Sequence, residues 1–253
     1  MLKTKLHFQR FEFKYLISFD EFFRIREKIK QYVGLDGFAK DSKDGFYEVV
    51  SLYYDSPKFY YYHEKIDGAV NRKKIRLRTY KKNSEFVPNV FFEIKRKYDS
   101  VILKDRVLLD KKTHSFPKSN KITEEYEQEK YLRSLEPKIL VSYKRQPFIG
   151  RYNKNFRVTF DYDIRAKETK DLFDPDLDVQ VLSEKVVMEI KFNGILPYYI
   201  REIIDQYNLE RIAYSKYCNA IEACYLLDEI NFSKNYFLRL DKQLLTQQYE
   251  RII

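Results

Sequence analysis

A pattern of apolar residue, glutamate, apolar residue and lysine occurs three times in this chain, at 11–14 (FEFK), 92–95 (FEIK) and 188–191 (MEIK). Side chains two residues apart on a β-strand share a face, so Glu and Lys point one way and the apolar residues the other. The segment 74–80 (KIRLRTY) alternates in the same way with cations alone. Such strands suit a closed sheet with a charged interior, which can hold a polyanion and a divalent metal together.

The composition predicts one folded domain over residues 1–253. Hydrophobic residues make up 44% and aromatic residues 17% of the chain, which argues against disorder despite 34% charged residues. With six glycines and seven prolines, no flexible linker divides it. The 48 Lys and Arg against 38 Asp and Glu give a formal charge of +10, which indicates an anionic partner: nucleic acid, anionic lipid or phosphate chains.

Eight runs have the alternation and the β-branched or aromatic content of strands. They are residues 8–16, 47–54, 71–80, 90–97, 101–109, 139–145, 155–164 and 186–192. An eight-stranded barrel is just wide enough to be filled by side chains or to hold one small ligand, and closure removes exposed edges. The predicted fold is therefore α+β, an eight-stranded antiparallel closed β-barrel decorated by helices.

Helix signals lie between these strands. A capping box of Ser18 and Glu21 begins a helix that is predicted to end at Gly34. The other predicted starts are Ser56-Pro57, Thr123 (running to about Leu135), Pro197 and Ser215. Residues of about 233–253 have apolar side chains at helical spacing and are expected to form a C-terminal helix on the barrel.

Several classes of chemistry are disfavoured. Neither a G-x-x-x-x-G-K-[ST] nor a G-x-G-x-x-G motif occurs, and His7, His63 and His114 are isolated, so a His-based zinc site or a Ser-His-Asp triad is not expected. Cys218 and Cys224 lie on one predicted helix and are expected to be reduced. No signal-peptide pattern and no run of about 18 apolar residues occurs, which indicates a soluble, cytoplasmic protein.

Alternation places cations and carboxylates on one predicted inner face. The cations are Lys14, Arg76, Arg78, Lys95, Arg106, Lys144, Arg157 and Lys191, and the carboxylates are Glu12, Glu93, Asp161 and Glu189. One interpretation is an open sheet whose charged face is simply solvated. If the face is enclosed, unpaired cations need water or an anion, so the interior attracts phosphate. Arginines clamp phosphoryl oxygens with two hydrogen bonds, and a carboxylate among them suits Mg²⁺ or Mn²⁺.

With these residues in place, the chain resembles the VTC domain, the polyphosphate polymerase module of the vacuolar transporter chaperone complex, within the triphosphate tunnel metalloenzymes. The similarity runs from residue 10 to about residue 222. It is carried by the ordered set of segments 10–15, 51–56, 74–80, 92–95, 142–145, 188–192 and 214–217.

This resemblance implies a tunnel that binds ATP as substrate and a divalent metal, Mn²⁺ or Mg²⁺. The residues implied for catalysis are Lys14, Arg76, Arg78, Lys95 and Lys191. Those implied for phosphate binding are Arg10, Arg106, Tyr143, Lys144, Arg157, Ser215 and Lys216, although Ser215 and Lys216 also fit a helix cap beside an exposed neighbour. The implied metal ligand is Glu189, with Glu12 and Glu93 as assistants.

One departure from the hydrolytic tunnel enzymes bears on the activity. Where their first strand resembles Glu-x-Glu-x-Lys, this chain has Arg10 in place of the first Glu. The exchange disfavours triphosphate hydrolysis and favours a longer phosphate chain, so the expected activity is metal-dependent transfer of the terminal phosphate of ATP onto polyphosphate. The alternatives are an inorganic or RNA triphosphatase, and a non-catalytic module that binds polyphosphate or inositol phosphate.

The expected partners are ATP and polyphosphate or pyrophosphate. A separate membrane protein is a further candidate partner and would bring the domain to the inner face of a membrane. No nucleic-acid partner is expected, since the aromatic residues fall among strand and helix cores rather than in a single-strand-binding motif.

Overall fold

A computed structural model of the protein describes residues 10–98, 101–110, 121–174 and 176–226. The strands in these ranges are β1 Arg10–Ser18, β2 Val33–Leu35, β3 Tyr47–Asp55, β4 Asn71–Lys82, β5 Glu85–Phe86, β6 Phe91–Tyr98, β7 Val101–Leu108, β8 Glu136–Gly150, β9 Arg157–Lys167, β10 Val179–Leu182 and β11 Lys185–Asn193. The helices are α1 Phe19–Ile29, α2 Gly37–Lys40, α3 Tyr60–Ile66, α4 Lys121–Arg133, α5 Tyr198–Gln206 and α6 Lys216–Leu226.

Eight strands form one continuous antiparallel path in the order β1-β11-β9-β8-β3-β4-β6-β7. These are the eight strands that the alternation predicts, and the α+β class is confirmed. The short strands β2, β5 and β10 pair with β8, β4 and β9 outside this path and were not predicted. They contain three, two and four residues, too few to show an alternation.

The sheet is strongly curled into a half-barrel. In the described ladders β1 and β7 end the path and are not paired with each other, so backbone hydrogen bonds do not close the barrel there. Side chains meet across the concave side instead: Lys95 Nζ on β6 lies 3.3 Å from Glu12 Oε2 on β1. These two strands are separated by five others in the path. The curl therefore encloses one face of the sheet.

Two of the apolar clusters of the sheet lie on its convex, outer face. Helices α1 and α5 cover one part of it, where Ile25 and Ile203 pack in a cluster with Tyr15, Phe160 and Met188. Helices α3 and α4 cover another part, above a cluster that contains Val50, Ile75 and Phe92. Burial of each such side chain contributes about 1.5–3 kcal/mol, so these layers hold the sheet in its curled form.

Helix α6 lies on the opposite, concave face. Its residues Tyr217, Ala220 and Ile221 pack in a cluster with Val49 and Val187. Val187 precedes Glu189 by two residues on β11 and therefore shares its face. The helix covers part of the same surface that carries the charges.

The helix starts are mostly confirmed. Ser18 Oγ accepts from the Glu21 N–H at 3.2 Å while Glu21 Oε2 accepts from the Ser18 N–H at 2.7 Å, which is the predicted capping box. Pro197 precedes α5, and Ser215 Oγ accepts from the Cys218 N–H at 3.2 Å at the start of α6. Both cysteines on α6 are free thiols.

Three helix boundaries were wrong. Helix α1 ends at Ile29, because 33–35, including Gly34, pairs with β8. Helix α3 begins at Tyr60 rather than Ser56, since the Asp55 carboxylate accepts from the N–H groups of Tyr61 and Tyr62 and caps the helix there. Thr123 lies inside helix α4, because residues 121 and 122 are already helical, and it is therefore not the cap. The helix predicted for about 233–253 lies outside the described residues, and none of the described helices is long and apolar enough to cross a membrane.

Candidate functional site

Basic side chains outnumber carboxylates on the concave face. Ten basic residues and four carboxylates form what we call the inner charged cluster. The basic residues are Lys14, Lys74, Arg76, Arg78, Lys95, Lys104, Arg106, Arg145, Lys191 and Lys216, and the carboxylates are Glu12, Glu93, Asp161 and Glu189. An excess of positive charge in an enclosed space is strongly attractive to a polyanion.

Glu93 holds one end of the cluster together. Its fully buried carboxylate lies 2.6 Å from Arg76 Nη2, 2.7 Å from Arg106 Nε and 2.7 Å from Lys104 Nζ. Burial alone would raise the pKa of Glu93, but Arg76, Arg78 and Lys104 outweigh it and hold that pKa well below the usual range. Burial also lowers the pKa of Lys104 to about 7, against the attraction of Glu93. Glu93 is thus an anchor for cations.

Glu12 and Glu189 share a set of lysines at the other end. Glu12 lies 3.3 Å from Lys14 Nζ and 3.3 Å from Lys95 Nζ, and Glu189 contacts Lys191. Burial and the nearby Glu189 raise the pKa of Glu12, but the three lysines lower it more, to about 2. Burial likewise opposes ionisation of Glu189, yet Lys191 and Lys14 hold its pKa well below the usual range. Both carboxylates are charged at neutral pH.

Asp161 fixes a third group of cations. Arg145 donates to its two oxygens at 2.6 and 2.7 Å, and Lys216 Nζ donates to Oδ2 at 2.6 Å. The ring of Tyr143 lies beside both cations, 5.2 Å from Arg145 Cζ and 4.6 Å from Lys216 Nζ. Burial raises the pKa of Asp161, but Arg145 and Lys216 lower it further, so the carboxylate is ionised. This group ties α6 to β8 and β9.

The three residues that β4 contributes to the cluster, Lys74, Arg76 and Arg78, follow one another on its inner face. Arg76 Nη1 donates to Tyr53 Oη at 2.9 Å, Arg78 Nε donates to Ser51 Oγ at 2.9 Å, and Lys74 Nζ donates to Ser215 Oγ at 2.6 Å. Burial lowers the pKa of Lys74 to about 8. Burial would raise the pKa of Tyr53, but Arg76, Arg78 and Lys74 lower it to about 8.

Two carboxylates of the cluster fit part of a metal site. Glu12 and Glu189 are close enough for the charge of one to raise the pKa of the other. In the described part of the chain, no group of three or more His, Cys, Asp or Glu residues could hold a metal ion by itself. Mg²⁺ is commonly bound through one or two carboxylates together with substrate phosphates and water. Glu189 and Glu12 supply two such carboxylates, and lysines contact both of them, as Arg76, Lys104 and Arg106 contact Glu93.

The structure brings together most of the residues predicted for the site. The ones that lie in the inner charged cluster or directly beside it are Lys14, Arg76, Arg78, Lys95, Lys191, Arg106, Tyr143, Ser215, Lys216, Glu12, Glu93 and Glu189. The backbone of Arg10 starts β1 opposite Asn193, and its side chain lies outside the described part of the chain.

Two predicted residues lie elsewhere. Lys144 is on the outer face of β8, where its Nζ pairs with Asp163 at 3.0 Å, so the expectation that it faces inward is wrong. Adjacent residues on a strand point to opposite faces, and Tyr143 and Arg145 are the residues that face inward. Arg157 lies at the start of β9 with its guanidinium half-exposed, and Nη2 pairs with Asp36 at 2.7 Å, outside the inner charged cluster.

Sequence reasoning did not select Arg145, Lys74 or Lys104 for the site. Each could have been found by its spacing: Arg145 is two residues from Tyr143, Lys74 two from Arg76, and Lys104 two from Arg106. A period of two places both members of each pair on one face. Tyr53 also was not selected, and its role as acceptor for Arg76 depends on the pairing of β3 with β4.

The fold and the cluster define an antiparallel half-barrel with a basic concave face, a surface that suits a polyanion. The family model described as the VTC domain matches residues 9–225. This chain belongs to the VTC domain family.

Two solved structures are similar to this chain over most of its length. The PH1819 protein from Pyrococcus horikoshii OT3 is 14% identical, with a TM-score of 0.45, and the match covers 87% of this chain and 99% of that one. A protein of Bacillus halodurans named "putative adenylate cyclase (bh2851)" is also 14% identical, with a TM-score of 0.47 and coverage of 82% and 95%. A comparison with curated proteins gives no match. The family assignment rests on the VTC domain match.

Proposed function

We propose that this domain is a metal-dependent polyphosphate polymerase, which transfers the terminal phosphate of ATP onto a growing polyphosphate chain. The observation that carries this proposal is the inner charged cluster, with ten basic side chains around four ionised carboxylates on an enclosed face. Membership of the VTC domain family supports a phosphotransfer enzyme of the triphosphate tunnel kind. Positioning and charge neutralisation supply most of the catalysis in phosphoryl transfer.

The reaction needs no protein nucleophile. A terminal oxygen of the acceptor phosphate, ionised at neutral pH, forms a bond to the γ-phosphorus of ATP, while the bond from that phosphorus to the bridging oxygen breaks. ADP leaves with the electron pair. Arg76 and Arg78 can clamp phosphoryl oxygens through their planar N–H groups, and Lys14, Lys95 and Lys191 neutralise charge as phosphates enter. A Mn²⁺ or Mg²⁺ ion held by Glu189, with Glu12, would add further charge neutralisation.

The carboxylates of the cluster are poorly suited to act as the general base of a hydrolase, whereas Lys104, with a pKa of about 7, has a value closer to the working pH. Hydrolysis is helped by a general base whose pKa lies near the working pH. The pKa values of Glu12, Asp161 and Glu189 are all held low by neighbouring cations, so these groups are weak bases. Among the described residues no histidine belongs to the cluster; His63 lies on α3. A phosphate acceptor is already ionised and needs no general base. The cation Arg10, which stands where the hydrolytic tunnel enzymes have a glutamate, is consistent with binding of a longer phosphate chain.

The proposal includes the partners of the reaction. ATP is the donor, and pyrophosphate or polyphosphate is the acceptor. A separate membrane protein that receives the product would place the domain at the inner face of a membrane.

Two substitutions test whether the cluster is the catalytic site. We expect Lys191→Ala and Arg78→Ala to lower ATP turnover by orders of magnitude, because each removes a charge that would contact phosphate. Thermal unfolding of both variants checks that the fold is retained. Lys144→Ala is the matched control, since it removes one cation from the outer face. Full activity in both cluster variants would rule out this assignment.

A further inference from the structure

Large side chains project from two turns at the same end of the sheet. The turn between β8 and β9 and the turn between β11 and α5 lie side by side, because β9 pairs with both β8 and β11 there. Tyr152 in the first turn is 94% exposed, and Ile195 in the second turn and Tyr198 at the start of α5 are 83% and 57% exposed. Single exposed side chains of this kind are common, but a group of them marks a site of interaction.

Tyr32 joins the two turns. Its carbonyl oxygen accepts from the Arg151 N–H of the first turn at 2.9 Å, and its hydroxyl lies 3.3 Å from that of Tyr198. Its ring stacks on Tyr199, with ring centroids 4.0 Å apart, and the buried ring of Phe156 packs against the same tyrosine at 5.8 Å. These contacts hold the two turns together, so their projecting side chains belong to one surface.

The two turns carry positive charge. Residues 150–157 and 193–201 contain no Asp or Glu. The exposed cations in these ranges that make no ion pair in the described part of the chain are Arg151, Lys154 and Arg201. These three cations form, with Tyr152, Ile195 and Tyr198, what we call the turn surface. Glu202 is the first carboxylate after the second turn, and the cations remain in excess.

We propose that the turn surface binds the headgroup region of an anionic lipid bilayer. Tyrosine rings are amphipathic and lie at the level of the headgroups, and an isoleucine side chain is stabilised in the apolar region below them. Lys and Arg side chains are attracted to an anionic membrane surface. A free phosphate would contact the cations and leave the apolar side chains in water, whereas a bilayer surface matches both. The turn surface is separate from the inner charged cluster and does not depend on the proposed polymerase.

Sedimentation of the full chain with lipid vesicles tests this surface. We expect binding to vesicles of phosphatidylcholine mixed with phosphatidylglycerol, weaker binding to phosphatidylcholine alone, and a loss of affinity as salt is added. Tyr152→Ala combined with Ile195→Ala should weaken binding at least about tenfold, because two apolar contacts are lost. Arg151→Ala and Lys154→Ala should each weaken it about fivefold, the effect of one cation at an anionic surface. All four side chains are exposed, so the variants are expected to fold.

Matched control variants lie on α4, which covers a different apolar cluster of the sheet. Tyr131→Ala removes a side chain that is 88% exposed, and Lys130→Ala removes an exposed cation; both variants should bind vesicles as the wild type does. Unchanged binding in the turn-surface variants, equal losses in the controls, or no binding of the wild type to anionic vesicles would overturn the proposal. Release of the bound protein by soluble glycerol phosphate would overturn it too, and would indicate a phosphate site instead of a bilayer surface.

Discussion

Substitution of Glu93 by Gln is expected to destabilise the empty domain and to make it depend on a polyanion. Glu93 is fully buried and is the shared counter-charge of Arg76, Lys104 and Arg106. Glutamine has nearly the same shape but no charge, so Arg76 and Arg106 would be left without their counter-charge, and Lys104, whose pKa is about 7 even beside Glu93, would lose its proton. A polyphosphate bound in the inner charged cluster would restore the missing negative charge.

The expected size of the effect follows from the burial of each partner. Removal of one member of a buried ion pair costs about 3–5 kcal/mol. The side chain of Arg76 is 13% exposed, but those of Lys104 and Arg106 are 40% and 35% exposed and can reach water. We therefore expect the lower end, about 3 kcal/mol, which corresponds to a fall in Tm of about 6–12 °C for a domain of this size.

Thermal unfolding at pH 7, with and without tripolyphosphate, measures this effect. Tripolyphosphate should raise the Tm of Glu93→Gln by several degrees more than that of the wild type. The control is Glu48→Gln on the outer face, where Glu48 pairs with Lys81 at 3.6 Å and the expected loss is below about 1 kcal/mol. A Glu93→Gln variant that melts within about 2 °C of the wild type, with the same response to tripolyphosphate, would refute the reasoning.

Changes of pH and substitutions of Lys74 and Arg145 should alter the affinity of the cluster for tripolyphosphate and the rate of ATP turnover. As the pH rises through about 8, Lys74 loses its positive charge and Tyr53 gains a negative charge. The affinity for tripolyphosphate should therefore fall, and calorimetric titration between pH 7 and pH 9 measures this. Lys74→Met should bind about tenfold more weakly at pH 7 and show a smaller pH dependence, and an unchanged pH dependence would contradict this. Arg145→Ala should lower ATP turnover far more than Lys144→Ala, because only Arg145 lies on the inner face and pairs with Asp161. Equal losses in those two variants would contradict the assigned faces.

Much of this architecture is readable from the alternation of side chains. A period of two located the eight strands of the main path, and it placed Arg76 with Arg78 and Glu189 with Lys191 on the inner face. Those pairs lie on regular ladders, where the register is uninterrupted. Local capping chemistry similarly predicted the start of α1 at Ser18. These features depend on neighbours in sequence, and for that reason they can be predicted.

The faces of β8 and β9 were harder to predict because their register shifts. The ladder between these strands is irregular between Ser142 and Lys144, and Asp163 has a positive φ of 50°. Asp161 points inward, whereas Asp163, two residues later, pairs with Lys144 on the outer face. No residue type in the segment signals this shift. A strict alternation would still have excluded Lys144 once Tyr143 was placed inside.

Contacts across the concave face also could not be predicted. The pairs Glu12 with Lys95 and Lys74 with Ser215 join residues that are 83 and 141 positions apart. They form because the sheet curls and α6 returns to its inner face. The composition of the chain indicates an anionic ligand. Which of the basic residues surround that ligand depends on how the sheet curls, and this cannot be predicted from the sequence.

The most direct test of the proposed polymerase is an incubation of the purified protein with ATP, Mn²⁺ and a pyrophosphate primer, with the products separated on a polyphosphate gel. We expect a ladder of phosphate chains in the wild type and its loss in Glu189→Ala, in which the implied metal ligand is removed. Release of orthophosphate without chains would contradict the polymerase and indicate a hydrolase. Absence of turnover with Mn²⁺ and with Mg²⁺ would contradict it as well and leave a phosphate-binding module.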